Sequence, residues 1–109
     1  MSTEVPTEFN LDRVHEILAH EYRRSTLTCL HERTERLSLE ELAEYIAKDI
    51  EPAGNARYDE LNERIRIQLH HSHLPKLAAG GFVEYDSETS HMVELTSDGR
   101  ELISRQPNW

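Results

Sequence analysis

Apolar residues recur at helical spacing in several separate stretches of this chain, and in one short stretch they alternate instead. The first helical stretch carries Leu11, Val14, Ile17 and Leu18, with Asn10 placed as its N-cap. Phe9 and Val14 occupy the two positions of a hydrophobic staple. A second stretch follows with Tyr22, Leu27 and Leu30 inward, while Arg23, Arg24 and Glu32 face water. A turn near His20 divides the two. Ser38 and Glu41 then form an S-x-x-E capping box, matched by a Leu37–Leu42 staple, and Leu39, Leu42, Ala43, Ile46 and Ile50 supply a buried face. Pro52 and Gly54 close that element, so EPAGNAR is a loop.

A longer helical run follows. Asp59 is its candidate N-cap, Leu61, Ile65 and Leu69 recur every four residues, and Leu74, Leu77 and Ala78 extend the stripe. Gly80-Gly81 stops it, because glycine reaches the left-handed backbone that helix C-termini favour. The period then changes from helix to strand. FVEYD and HMVEL flank the polar tip SETS, which spells a hairpin. Thr96 or Ser97 caps a last helix with Leu102 and Ile103 inward, and Gln106-Pro107 ends it. The sum is a mainly α chain of four or five helices plus a two-stranded wing. Residues 1–8 read as a flexible N-terminal arm and 9–106 as a single domain.

Charge narrows the range of partners. The 109 residues hold 12 Lys plus Arg against 21 Asp plus Glu, a net charge of −9, and only Lys48 and Lys76 are lysines. Such a surface suits hydration in concentrated salt or an ordinary acidic cytoplasmic protein, and it argues against a polycationic grip on nucleic acid. Cys29 stands alone, consistent with a reducing interior. No stretch reads as a signal peptide or membrane span, which points to a soluble, cytoplasmic domain.

The segments HLPKLAAGGFVEYD and LTSDGRELI resemble the winged-helix (helix-turn-helix) transcription-regulator superfamily. Through HHSHLPKL and FVEYD the likeness is closest to small uncharacterised winged-helix domains of halophilic archaea, and it covers roughly residues 10–105. The resemblance implies a helix-turn-helix whose first helix is 38–50, a recognition helix at about 59–79, a wing at 82–96, and dimerisation through terminal helices. Residues 82–96 depart from the pattern, since they carry Glu84, Asp86, Glu88 and Glu94 and no Lys or Arg. Those carboxylates repel phosphate unless salt screens them.

The long helix is better equipped. At about 100° per residue Arg57, Arg64, Gln68 and His71 share one side, and Lys76 adds a further cation. Arg and Gln have the fork geometry that reads guanine and adenine edges in a major groove. These five residues are the candidate DNA-binding set, and a solvated helix face is the plainer reading of the same pattern.

His70, His71 and His73 raise a metal reading. Zinc needs three or four converging ligands, no Cys pair lies nearby, and packed or capping histidines are the simpler assignment, so no metal or other cofactor is expected. Pro75 either opens a new turn or kinks the helix. Cys29 reads as a small core residue more readily than as a redox sensor, and Tyr45, Tyr58 and Tyr85 as packing groups. No serine elbow, phosphate-binding glycine loop or H-E-x-x-H motif is present, so an enzyme is not expected.

Two functions remain. One is a regulator that inserts the helix at about 59–79 into the major groove of double-stranded DNA, as a homodimer paired through Leu11, Val14, Ile17, Leu102 and Ile103. The other is a winged-helix module that turns its acidic surface toward a protein partner.

Overall fold

Local signals build most of the elements. A computed structural model describes residues 11–34, 36–51, 54 and 56–105. The 1–8 arm, the Asn10 cap, Phe9 of the first staple, Pro52 and the Gln106-Pro107 stop lie outside the described residues. Helix α1 (Leu11–Leu18) buries Val14 and Ile17, and α2 (Glu21–Arg33) begins where the His20 ring accepts a hydrogen bond from the Tyr22 N–H. Strand β1 (Leu37–Ser38) leads directly into α3 (Leu39–Ile50). There the capping box is complete: Ser38 Oγ accepts from the Glu41 N–H at 3.0 Å, and Glu41 Oε1 accepts from the Ser38 N–H at 2.9 Å.

The long run is one rod in three parts: α4 (Ala56–Gln68), a π-helical turn (Leu69–His73) and α5 (Leu74–Ala79). Its backbone stays helical throughout, with Gln68 and Leu74 both in the right-handed region. The Leu74 N–H reaches back five residues to the Leu69 carbonyl, so one extra residue is accommodated just before Pro75. In a plain α-helix that proline ring would collide with the preceding turn. Both readings of Pro75 therefore meet here: it sits in the first turn of α5, and the adjustment comes as a π turn. The rod begins three residues before Asp59, which lies in its first turn and not at its cap; the half-buried Tyr58 holds that earlier turn against the core. Gly81, at φ +85°, makes the reversal after the rod.

Strands β2 (Val83–Tyr85) and β3 (Met92–Leu95) form the wing, and α6 (Ser97–Ser104) follows, capped by Thr96 Oγ1 accepting from Gly99 N–H. A third strand joins the hairpin, giving an antiparallel sheet in the order β1-β3-β2. Leu37 opposes Val93, and Val83 opposes Leu95. The hairpin reading had only two strands, because two residues cannot display a period. With the rod taken as one helix, the described residues make five helices and a small sheet: a winged helix-turn-helix arrangement.

One core joins these parts, centred on Leu27, Leu30, Leu42, Ile46, Ile65, Leu69, Leu74, Leu77 and Val93. Cys29 belongs to it, and burial pushes its thiol up to about 11, as befits a core residue. Three inward–outward assignments change. Ile50 is largely exposed at the end of α3. Arg23, expected in water, is buried at 7% exposure. Leu11, placed on the first apolar stripe, is exposed, while Val14, Ile17, Leu102 and Ile103 are buried as read and covered within this one chain. The apolar surface on which pairing was argued is thus consumed by the chain's own core. Among the described residues no helix is long and apolar enough to cross a membrane.

Candidate nucleic-acid interface

Four of the five sequence-chosen residues stay together. Arg57, Arg64, Gln68 and His71 are all exposed along the rod. Arg57 and Arg64 are seven residues, nearly two whole turns, apart, and Gln68 and His71 follow on the same side. Lys76 separates from them. Its Nζ lies 2.7 Å from Glu16 Oε2 on α1, and this ammonium holds the Glu16 carboxyl below its ordinary range. Even a straight wheel sets Lys76 about 120° round the helix from Arg64, so it joined the set as a cation and not by position.

The three clustered histidines separate too. His73 points inward, 5% exposed, and its Nδ1 sits 3.0 Å from the Arg23 guanidinium. The same guanidinium donates to the carbonyls of Ile17 and Glu16, each at 2.8 Å. Arg23 thereby satisfies the C-terminal carbonyls of α1, which have no partner within the helix, and ties that helix to the rod. Arg24 repeats the device on the Leu18 carbonyl, and Arg13 reaches the Ala79 carbonyl. The His20 ring stacks on His73 at 4.2 Å. Burial, then the charges of its neighbours, pulls His73 down to about 4, so it is neutral at physiological pH and can accept from Arg23. His20 is lowered for the same first reason.

His70 turns the other way, toward the wing. Its Nδ1 is 2.7 Å from the Tyr85 hydroxyl, and its ring lies 5.5 Å from that of His91 and 5.0 Å from that of His71. Burial, with Asp86 adding, keeps the Tyr85 phenol protonated to a higher pH than usual. Among the described residues no three His, Cys, Asp or Glu side chains converge on one point as metal ligands must. Tyr85 is a packing group that also braces a histidine.

A notch of about 350 Å³ opens where the start of α3, the middle of the rod and the wing tip meet. Arg66, Ile67, His70 and His71 form its rod wall, Ser90 and His91 its wing wall, and Ser38 to Glu40 its floor. Ile67 is 46% exposed, an uncovered apolar side chain beside basic ones. The wing tip is fixed from within: Asp86 accepts from the backbone N–H groups of Glu88, Thr89 and Ser90 and from the Thr89 and Ser90 hydroxyls. These bonds hold its carboxyl well below the usual range. So one of the four wing carboxylates has an internal structural task. Glu84 and Glu94 face each other as direct cross-strand partners on the exposed side of the sheet.

Residues 15–94 match the model of a domain of unknown function, DUF7344. The chain belongs to that family. The matched segment runs from the middle of α1 into β3 and holds Arg23, His73, the exposed face of the rod and the whole notch. No curated protein and no solved structure matches the chain.

Proposed function

We propose that this chain is a DNA-binding winged-helix protein, a transcriptional regulator of the cytoplasm rather than an enzyme, that presents its long rod to the major groove of double-stranded DNA. The observation that carries this reading is the alignment of exposed Arg57, Arg64, Gln68 and His71 on one side of a helix flanked by a wing. Arg64 and Gln68 are the base-reading pair, through guanine and adenine edges respectively. Ile67, apolar and exposed beside them, is suited to a thymine methyl group. Lys76 is withdrawn from the set, since Glu16 holds it against α1. The likeness to winged-helix transcription regulators supports the same reading.

A single module of this kind covers roughly 600–1,000 Å² of DNA-facing surface, so specific affinity favours two copies. Pairing through the terminal helices stays part of the proposal, supported now by exposed Leu11 and by that area argument. A second reading, docking of a protein partner on the acidic wing, is favoured by exposed Glu84, Glu88 and Glu94.

The test is duplex binding by fluorescence anisotropy across a salt series, with sedimentation for oligomeric state. Binding should fall about tenfold or more in Arg64→Ala combined with Gln68→Ala, as loss of two base contacts implies. It should survive Lys76→Ala. A chain that ignores every duplex at low salt would transfer the case to the protein-docking reading.

A further inference from the structure

We propose that the notch between wing and rod is a seat for a free α-amino acid with an apolar side chain, and that an occupant there competes with DNA for the rod. The competition rests on the DNA-binding reading above; the seat itself does not. The notch holds about 350 Å³, at the lower end of the roughly 300–1,000 Å³ that small-molecule sites span. It suits a molecule of few atoms and not a large cofactor.

The charges at the notch set the chemistry. Arg66 on the rod and Glu40 in the first turn of α3 both line the opening. Among the described residues neither side chain has an ion pair or a hydrogen bond to another group. Arg66 is half-buried, and a guanidinium partly withdrawn from water gains most from a carboxylate that meets two of its N–H groups at once. Asp86 on the wing does not serve, because Thr89 and Ser90 engage its carboxylate. The notch thus presents one cation and one anion that leave each other unpaired. A zwitterion answers both, its carboxylate at Arg66 and its ammonium at Glu40. An anion alone would be opposed by Glu40, and a cation alone by Arg66.

The apolar part of the notch takes the side chain. Ile67, 46% exposed, lines it beside Leu39, and covering Ile67 removes a large apolar group from water. The remaining wall is imidazole. His70 lies edge-on to both His71 and His91, with ring centroids 5.0 and 5.5 Å away, so these rings are packed before any ligand arrives. The Leu39 N–H donates to the His91 carbonyl at 2.9 Å and fixes the wing against the floor. The Ser38 and Ser90 hydroxyls add little, since Ser38 caps α3 and Ser90 donates to Asp86. An occupant lies against Ile67 and His71, two of the side chains offered to DNA, so the two ligands exclude each other.

The experiment follows the isotope-labelled full chain by NMR as L-leucine is added. N-acetyl-leucine, which lacks the ammonium, and leucinamide, which lacks the carboxylate, are titrated beside it. Leucine should move the resonances of Glu40, Arg66, Ile67, His71 and His91 saturably. It should bind about tenfold tighter than either analogue, as loss of one charge-assisted contact implies. Arg66→Gln should erase the advantage over leucinamide, and Glu40→Gln the advantage over N-acetyl-leucine, a reciprocal pattern that a folding defect does not produce. N-acetyl-leucine as tight as leucine, shifts away from the notch, or no saturable shift would each overturn the seat. In a second arm duplex anisotropy is repeated with leucine present. Leucine should weaken duplex binding by wild type and leave that of Arg66→Gln unchanged. A chain that binds leucine but no duplex keeps the seat and removes the DNA reading. Duplex affinity unmoved by saturating leucine would overturn the competition.

Discussion

His73 offers the sharpest link between burial and measurable stability. Its ring is enclosed by α1, α2 and the rod, faces the Arg23 guanidinium at 3.0 Å and stacks on His20, so a proton there would add a second cation to a closed space. In the native chain it is neutral down to about pH 4, whereas in the unfolded chain it takes a proton near the usual 6.5. Because the folded value is the lower one, its contribution is complete above about pH 6.5 and is lost as pH falls through that value toward 4. At ~1.4 kcal/mol per pH unit the span corresponds to roughly 3 kcal/mol at most, a large share of a small domain's stability. The assay is chemical unfolding at a series of pH values, comparing wild type with His73→Leu. The variant should be less stable near neutrality, since Arg23 loses its acceptor, but the difference should shrink steadily on acidification. His20, lowered in the same direction, steepens the wild-type curve somewhat and is present in both proteins. A difference that stays constant from pH 7 to pH 4 would refute the argument that burial keeps His73 neutral.

Three substitutions test the frame around the site. Gly99→Ala should destabilise by about 3 kcal/mol, seen as a lower denaturation midpoint, because a Cβ there would overlap the Phe82 carbonyl and crowd the Leu95 side chain. Ser38→Ala should cost about 1 kcal/mol by breaking the capping box that starts α3, read in the same unfolding assay. Glu94→Lys should stabilise the wing by about 0.2–1 kcal/mol, because it turns a like-charge cross-strand pair with Glu84 into an attractive one. That gain should diminish in concentrated salt, where the wild-type repulsion is already screened.

The elements legible in the sequence were those written in local code. The Ser38–Glu41 box, the turn at His20, the Gly80-Gly81 stop and the FVEYD–HMVEL hairpin each depend on residues a few positions apart, and each stands where it was read. What escaped depends on distance or on a slip of phase. Arg23 looked like a surface arginine because its partners are the end of α1 and a histidine fifty positions away. Strand β1 has two residues and exists only because β3 pairs with it. Lys76 was counted as a further cation of the rod because its partner, Glu16, lies sixty positions away; Pro75 was the visible sign of the π turn. Of the candidate interface, the exposed rod face was legible, whereas the notch needed three elements brought together. His91 was passed over as a strand residue, and its left-handed backbone and place on the notch wall have no local signature.

The central claim is that the Arg57–His71 side of the rod meets duplex DNA. Its most direct test is to follow the backbone amide resonances of the isotope-labelled chain as duplex is added at low salt. The account places the shifts along residues 56–71 and at Ser90 and His91, with Lys76 and α1 quiet. Shifts confined to α2 and the exposed wing face, or no shifts at all, would contradict it.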